Sequence, residues 1–96
     1  MVSKKNGFVD LPNTMVLTTR DVIEKKKEIL FVSHDADDGM WQFHSGNDVD
    51  MDSAMLVALE EIVEFHPSIT EISDLPVGWI AWREDETKPW HKERAI

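Results

Sequence analysis

Ile29-Leu30-Phe31-Val32-Ser33-His34-Asp35-Ala36-Asp37-Asp38-Gly39-Met40-Trp41-Gln42-Phe43-His44 is the stretch whose reading decides the fold. Two runs rich in β-branched and aromatic residues flank a polar break, the pattern of a β-hairpin. Asp38-Gly39 suits a type I′ turn, whose two central residues both need positive φ. Such a turn sets Asp37 opposite Met40, whereas a looser one sets Asp35 opposite Met40. Either register gives the same faces, because strand side chains alternate. Leu30, Val32, His34, Trp41 and Phe43 share one face, which is predicted to be the core. Phe31, Ser33, Gln42 and His44 take the other.

Ser45-Gly46-Asn47 ends the second strand. From Asp50 to Phe65 the apolar residues Met51, Met55, Ala58, Ile62 and Phe65 recur at helical steps. The run Leu56-Val57-Ala58-Leu59 is also apolar without a gap, so that part supports an extended reading as well. His66-Pro67 stops the helix, and Ser68 can cap a short one carrying Ile69, Ile72 and Leu75 inward. Trp79-Ile80-Ala81-Trp82-Arg83 is a strand with its two tryptophans on opposite faces. Upstream of the hairpin, Met15-Val16-Leu17-Thr18-Thr19 predicts a strand, and Thr19–Lys27 a short helix with Thr19 as N-cap. Met1–Thr14 is expected to be a loose arm pinned through Phe8 and Val9, and residues 84–96 a polar tail anchored at Pro89-Trp90. The fold class is therefore a single α+β domain: a small, mainly antiparallel sheet containing 15–19, 29–34, 40–45 and 79–83, with two or three helices packed on it.

Ninety-six residues suffice for one core. An apolar fraction of 42% with four Trp and four Phe is that of a globular chain, not a disordered one. Absence of cysteine excludes disulfides, thiolate metal sites and thiol catalysis. No apolar run reaches the roughly 20 residues of a membrane span, and Met1–Asn6 has no signal-peptide core. A cytoplasmic location is expected.

Net charge is −9, and it is unevenly spread. Glu28 to Trp82 holds twelve Asp and Glu and no Lys or Arg, whereas both flanks carry cations. Nucleic-acid backbones and anionic membranes would be repelled by that block. A basic protein surface would be attracted to it, and steered from a distance. The candidate partner-binding residues are Asp35, Asp37 and Asp38 at the hairpin tip, with Asp48, Asp50 and Asp52 before the helix. Acidic faces also keep proteins soluble without any partner.

Signals for other chemistry are thin. Asp48-Val49-Asp50-Met51-Asp52 starts like a calcium loop, but Ser53 stands where the sharp turn needs Gly, and Leu59 where a bidentate Glu belongs. These aspartates suit a helix N-terminus better. His34 and His44 point to opposite faces and cannot ligate one ion. Ser33-His34-Asp35 are sequence neighbours on a strand, the wrong geometry for a catalytic relay. No metal and no cofactor is expected. The alternative reading is a small metal-dependent or hydrolytic enzyme using His44 and nearby carboxylates. Monomer and homodimer are both open, the latter through an exposed tryptophan face.

Several segments resemble a family of small bacterial proteins of unknown function grouped with polymorphic-toxin immunity proteins. The resemblance rests on Met15-Val16-Leu17-Thr18-Thr19-Arg20-Asp21-Val22, on Gly39-Met40-Trp41-Gln42-Phe43-His44-Ser45-Gly46-Asn47-Asp48, and on Leu59-Glu60-Glu61-Ile62-Val63-Glu64-Phe65-His66-Pro67-Ser68-Ile69. Leu75-Pro76-Val77-Gly78-Trp79 with Arg83 completes it. The family has an Arg-Glu pair where this chain has His34-Asp35. The resemblance implies a non-enzymatic binding protein, of the kind that masks a basic toxin.

Overall fold

The computed structural model describes residues 7–24, 27–46 and 51–95. Within them the hairpin is formed by β2 (Phe31–His34) and β3 (Trp41–His44). Its register pairs His34 with Trp41 and Val32 with Phe43, so the alternation expected from the sequence holds. The turn is the looser of the two: Asp35 N–H donates to Met40 O (2.8 Å) and Gly39 N–H to Asp35 O (2.9 Å). Gly39 sits at φ +73°, with nothing within 4 Å of where a Cβ would stand. Its backbone conformation, not space, calls for glycine. At the root of the hairpin alternation breaks, and Ile29 rather than Leu30 is fully buried.

Around this centre the sheet grows both ways. β1 (Met15–Thr19) runs parallel to β3, and β4 (Ala54–Ala58) pairs antiparallel along the whole of β1. On the other side, β5 (Trp79–Trp82) pairs with β2, and β6 (His91–Arg94) with β5. The order is β4-β1-β3-β2-β5-β6, a six-stranded mixed sheet that is mostly antiparallel. Thr18 Oγ1 donates to Phe43 O (2.8 Å), a buried tie across the parallel β1–β3 junction.

Three elements differ from the sequence reading. Residues 54–58, where helical steps and an unbroken apolar run compete, are strand. The helix α2 starts only at Leu59 and ends at Phe65. The run wins because a strand there lies in register along the whole of β1, with Val57 and Met55 bonding to Val16 and Thr18. His91–Arg94, expected within a polar tail, form the sixth strand. The helix expected over Thr19–Lys27 is the single turn α1 (Arg20–Ile23).

α2 and a 3-10 helix, Pro67–Ile72, cover one face of the sheet. Their Leu59, Ile62, Ile69 and Ile72 are fully buried against Val16, Val32, Trp41, Phe43 and Ala81. Pro67 opens the 3-10 helix, where its missing N–H costs nothing. Phe8, only 9% exposed, docks edge-on to Trp41 at 5.0 Å, whereas Val9 stands in solvent. Arg83 is buried on this side. Its Nε and Nη2 donate to Ile29 O (3.2 and 3.0 Å), Nη2 donates to Ser68 Oγ (2.9 Å), and the guanidinium lies 4.2 Å over Trp90.

The opposite face carries Met15, Leu17, Leu56, Phe31, Ile80 and Trp82 by register. Met15 and Leu56 are half exposed there. Trp79 thus faces the helices, and Trp82 the open side, where it stacks on His91 at 5.2 Å.

Candidate functional site

The acidic residues singled out from the sequence do not form one surface. Asp35, Asp37 and Asp38 stand at the tip of the β2–β3 hairpin. Asp52 lies just before Ala54, which pairs with Thr19 at the end of β1. Because β1 and β3 run parallel, Asp52 belongs at the opposite end of the sheet from the tip. Asp48 and Asp50 lie outside the described residues.

At the tip each aspartate has its own role. Asp37 is exposed. Asp38 accepts from Met40 N–H (2.9 Å), the side-chain turn bond expected of Asp two residues ahead. Asp35 folds back onto the open face, accepting from Ser33 Oγ (2.8 Å) and Gln42 Nε2 (2.7 Å). Other carboxylates join this end. Asp10 accepts from Trp41 Nε1–H at 3.1 Å. Leu59 N–H donates to Thr14 O (2.8 Å) and Glu60 N–H to Pro12 O (2.9 Å), which brings Glu60 and Glu61 to the same end. Arg94, opposite Trp79, brings a cation to this end. Leu11, Met15 and Val77 expose 69%, 51% and 52% of their surface at this end.

From Asp35 a polar chain crosses the open face. His44 Nε2–H donates to Gln42 Oε1 (2.9 Å), so the Gln42 amide links imidazole to carboxylate. His44 is buried, and its Nδ1 has no hydrogen-bond partner among the described residues. Burial pushes the His44 pKa below its ordinary value, against the charges of Asp21 and Asp35, which raise it. The imidazole is thereby held neutral. Asp21 sits beyond it: burial raises its pKa, but hydrogen bonds from Ser45 (2.6 Å), Thr19 and the local backbone outweigh that and leave it lowered.

His34 is on the other face, as expected. It stacks on Trp41 with centroids 3.9 Å apart, and its Nδ1–H donates to Leu75 O (2.8 Å). Two open depressions of about 420 and 440 Å³ flank Ile80. Phe31 and Trp82 line the first, Ser33 and Asp35 the second. No group of three His, Asp or Glu that could hold a metal ion occurs among the described residues. Nor is any helix among them long and apolar enough to cross a membrane.

Sequence reasoning missed the Asp35–Gln42–His44 chain and the apolar rim of Leu11, Met15 and Val77. The first had a signal: Gln42 and His44 share the face of Ser33, and a strand places i and i+2 side by side. No family model, curated protein or solved structure matches the chain.

Proposed function

We propose that the protein is a non-enzymatic protein-binding module, acting in the cytoplasm like an immunity protein, whose acidic end receives a basic partner. The observation that carries this reading is the end of the sheet at the hairpin tip. There the exposed Asp37 and the turn carboxylates lie at the same end of the sheet as exposed Leu11, Met15 and Val77. Apolar contact area flanked by carboxylates is the composition of a protein-docking surface. The carboxylates steer and orient, and the apolar side chains supply buried area. The mechanism is occlusion of the partner's basic surface.

A pull-down from the source cells at low and high salt, read by mass spectrometry, tests it. The bait is the wild-type chain beside the Asp37→Lys, Asp38→Asn double variant, whose Asn keeps the turn acceptor. A basic protein held at low salt, released at high salt and missed by the variant is the expected result. Retention that ignores both salt and the substitutions overturns the reading.

An enzyme built on His44 is the second reading, favoured by the Asp35–Gln42–His44 chain. It ranks lower because the imidazole is buried and reaches the carboxylate only through an amide.

A further inference from the structure

β4 and β6 are the two edges of the sheet, and they are built oppositely. β6 is His91-Lys92-Glu93-Arg94, exposed throughout. Charged side chains on an edge strand oppose the addition of another strand. β4 is Ala54-Met55-Leu56-Val57-Ala58, with no charge, no proline and no glycine. It has none of those protections.

The ladder with β1 shows which backbone groups of β4 are free. In an antiparallel pair, opposed residues alternate between exchanging hydrogen bonds and not. Leu59 N–H donates to Thr14 O, one step beyond the Met15–Ala58 pair. Val57 and Met55 therefore exchange bonds with Val16 and Thr18. Ala54, Leu56 and Ala58 turn their N–H and C=O groups away from β1, off the edge of the sheet.

We infer that this edge pairs with β4 of a second copy of the chain, antiparallel, about a twofold axis at Leu56. In that register Leu56 meets Leu56 of the second copy, and Ala54 meets its Ala58. All three outward residues then lie in mutually bonded pairs, and no backbone group of the strand is left over. Met55 meets Val57 of the second copy on the helix side. On the open side the two Leu56 side chains, each 55% exposed, cover one another beside Met15. No charged residue of the strand opposes another. The sequence of β4 is close to a palindrome in size and polarity, which a twofold pairing requires. Growth stops at two copies, because both outer edges are then the charged β6.

A five-residue strand covers less than the roughly 800 Å² per partner of a standard interface, so the dimer dissociates on dilution. Each copy carries −9, so salt strengthens the association. That is the reverse of the salt response expected for the basic partner, and the inference stands independently of that reading.

Sedimentation equilibrium of the full chain, from about 10 µM to about 1 mM at low and high salt, is the test. The mass is expected to move from 11.1 kDa towards twice that, at lower concentration in high salt. Amide exchange at Leu56 slows in step. Leu56→Lys sets two ammonium groups together at the axis and holds the mass at the monomer value, whereas Glu93→Lys on β6 leaves the dimer intact. A mass that stays monomeric throughout overturns the inference. So does a dimer that Leu56→Lys leaves unchanged, or one in which Leu56 exchange does not slow. If Leu56→Lys loses its far-UV circular dichroism, wild-type exchange at Leu56 decides alone.

Discussion

On the hairpin, His34 and Trp41 face the helices, while one position along each strand Ser33 and Gln42 face the open side. The covered face is held by rings: His34 stacks on Trp41, and Trp41 on Phe43 at 5.9 Å. Hydrogen bonds hold the open face, running from Ser33 and Asp35 through Gln42 to His44. One strand register thus produces two different materials. Burial on the first face supplies stability, which is non-directional and large. Directed bonds on the second fix positions while contributing little net free energy.

That contrast can be broken where it is strongest. Trp41→Ala removes the ring that His34, Phe8 and Phe43 pack against, and is expected to cost about 3–5 kcal/mol in urea unfolding. A loss below about 1 kcal/mol would mean the covered face is not what holds the fold. Arg83→Ala is expected to cost about 3 kcal/mol, since Ile29 O loses its charged donor inside the protein. If Arg83→Lys restores most of that, the loss belongs to charge; if it does not, to the fork that reaches Ile29 and Ser68 together.

Smaller effects belong to the open face. The His44 pKa is lowered in the folded state, so the unfolded chain takes up the proton first as pH falls. Its stabilising effect is whole above the ordinary value of 6.5 and is lost as pH drops through the lowered one. The wild-type melting temperature should therefore fall more steeply than that of His44→Gln below pH 6.5. Parallel curves would show that His44 is not held neutral. Smallest of all, Leu56→Ser in dilute solution is expected to change stability by no more than about 0.5 kcal/mol. A larger loss by thermal melting would mean that the open face is covered within the monomer.

The covered face was legible because alternation over Val32, His34, Trp41 and Phe43 is local and unambiguous. It yields the same faces whichever turn forms, so even an undecided turn did no harm. The stretch 54–58 was not legible. Its apolar spacing fits a helix and a buried strand equally, and pairing with β1 some forty residues upstream decides between them. β6 offered less still: His-Lys-Glu-Arg has no apolar side, and it is a strand because Trp82 and Ile80 of β5 need a neighbour. At the candidate site, the tip carboxylates were legible as a charge block. Their separation from Asp52 was not, because it depends on β1 and β3 running parallel. Single-chain spacing carries no information about strand direction.

The strand order β4-β1-β3-β2-β5-β6 has a kinetic meaning. Its middle pair has the shortest connection between paired strands among the described residues, 35–40. Each step outward from it links residues farther apart in the chain or, for β6, adds a strand with no apolar side chain. Closing a short loop costs less entropy than closing a long one, so β2–β3 is the natural nucleus and the edges condense on it afterwards. Substitutions at Val32 or Phe43 should accordingly slow folding. Those in β4 and β6 should leave the folding limb of the chevron in place and raise the unfolding limb.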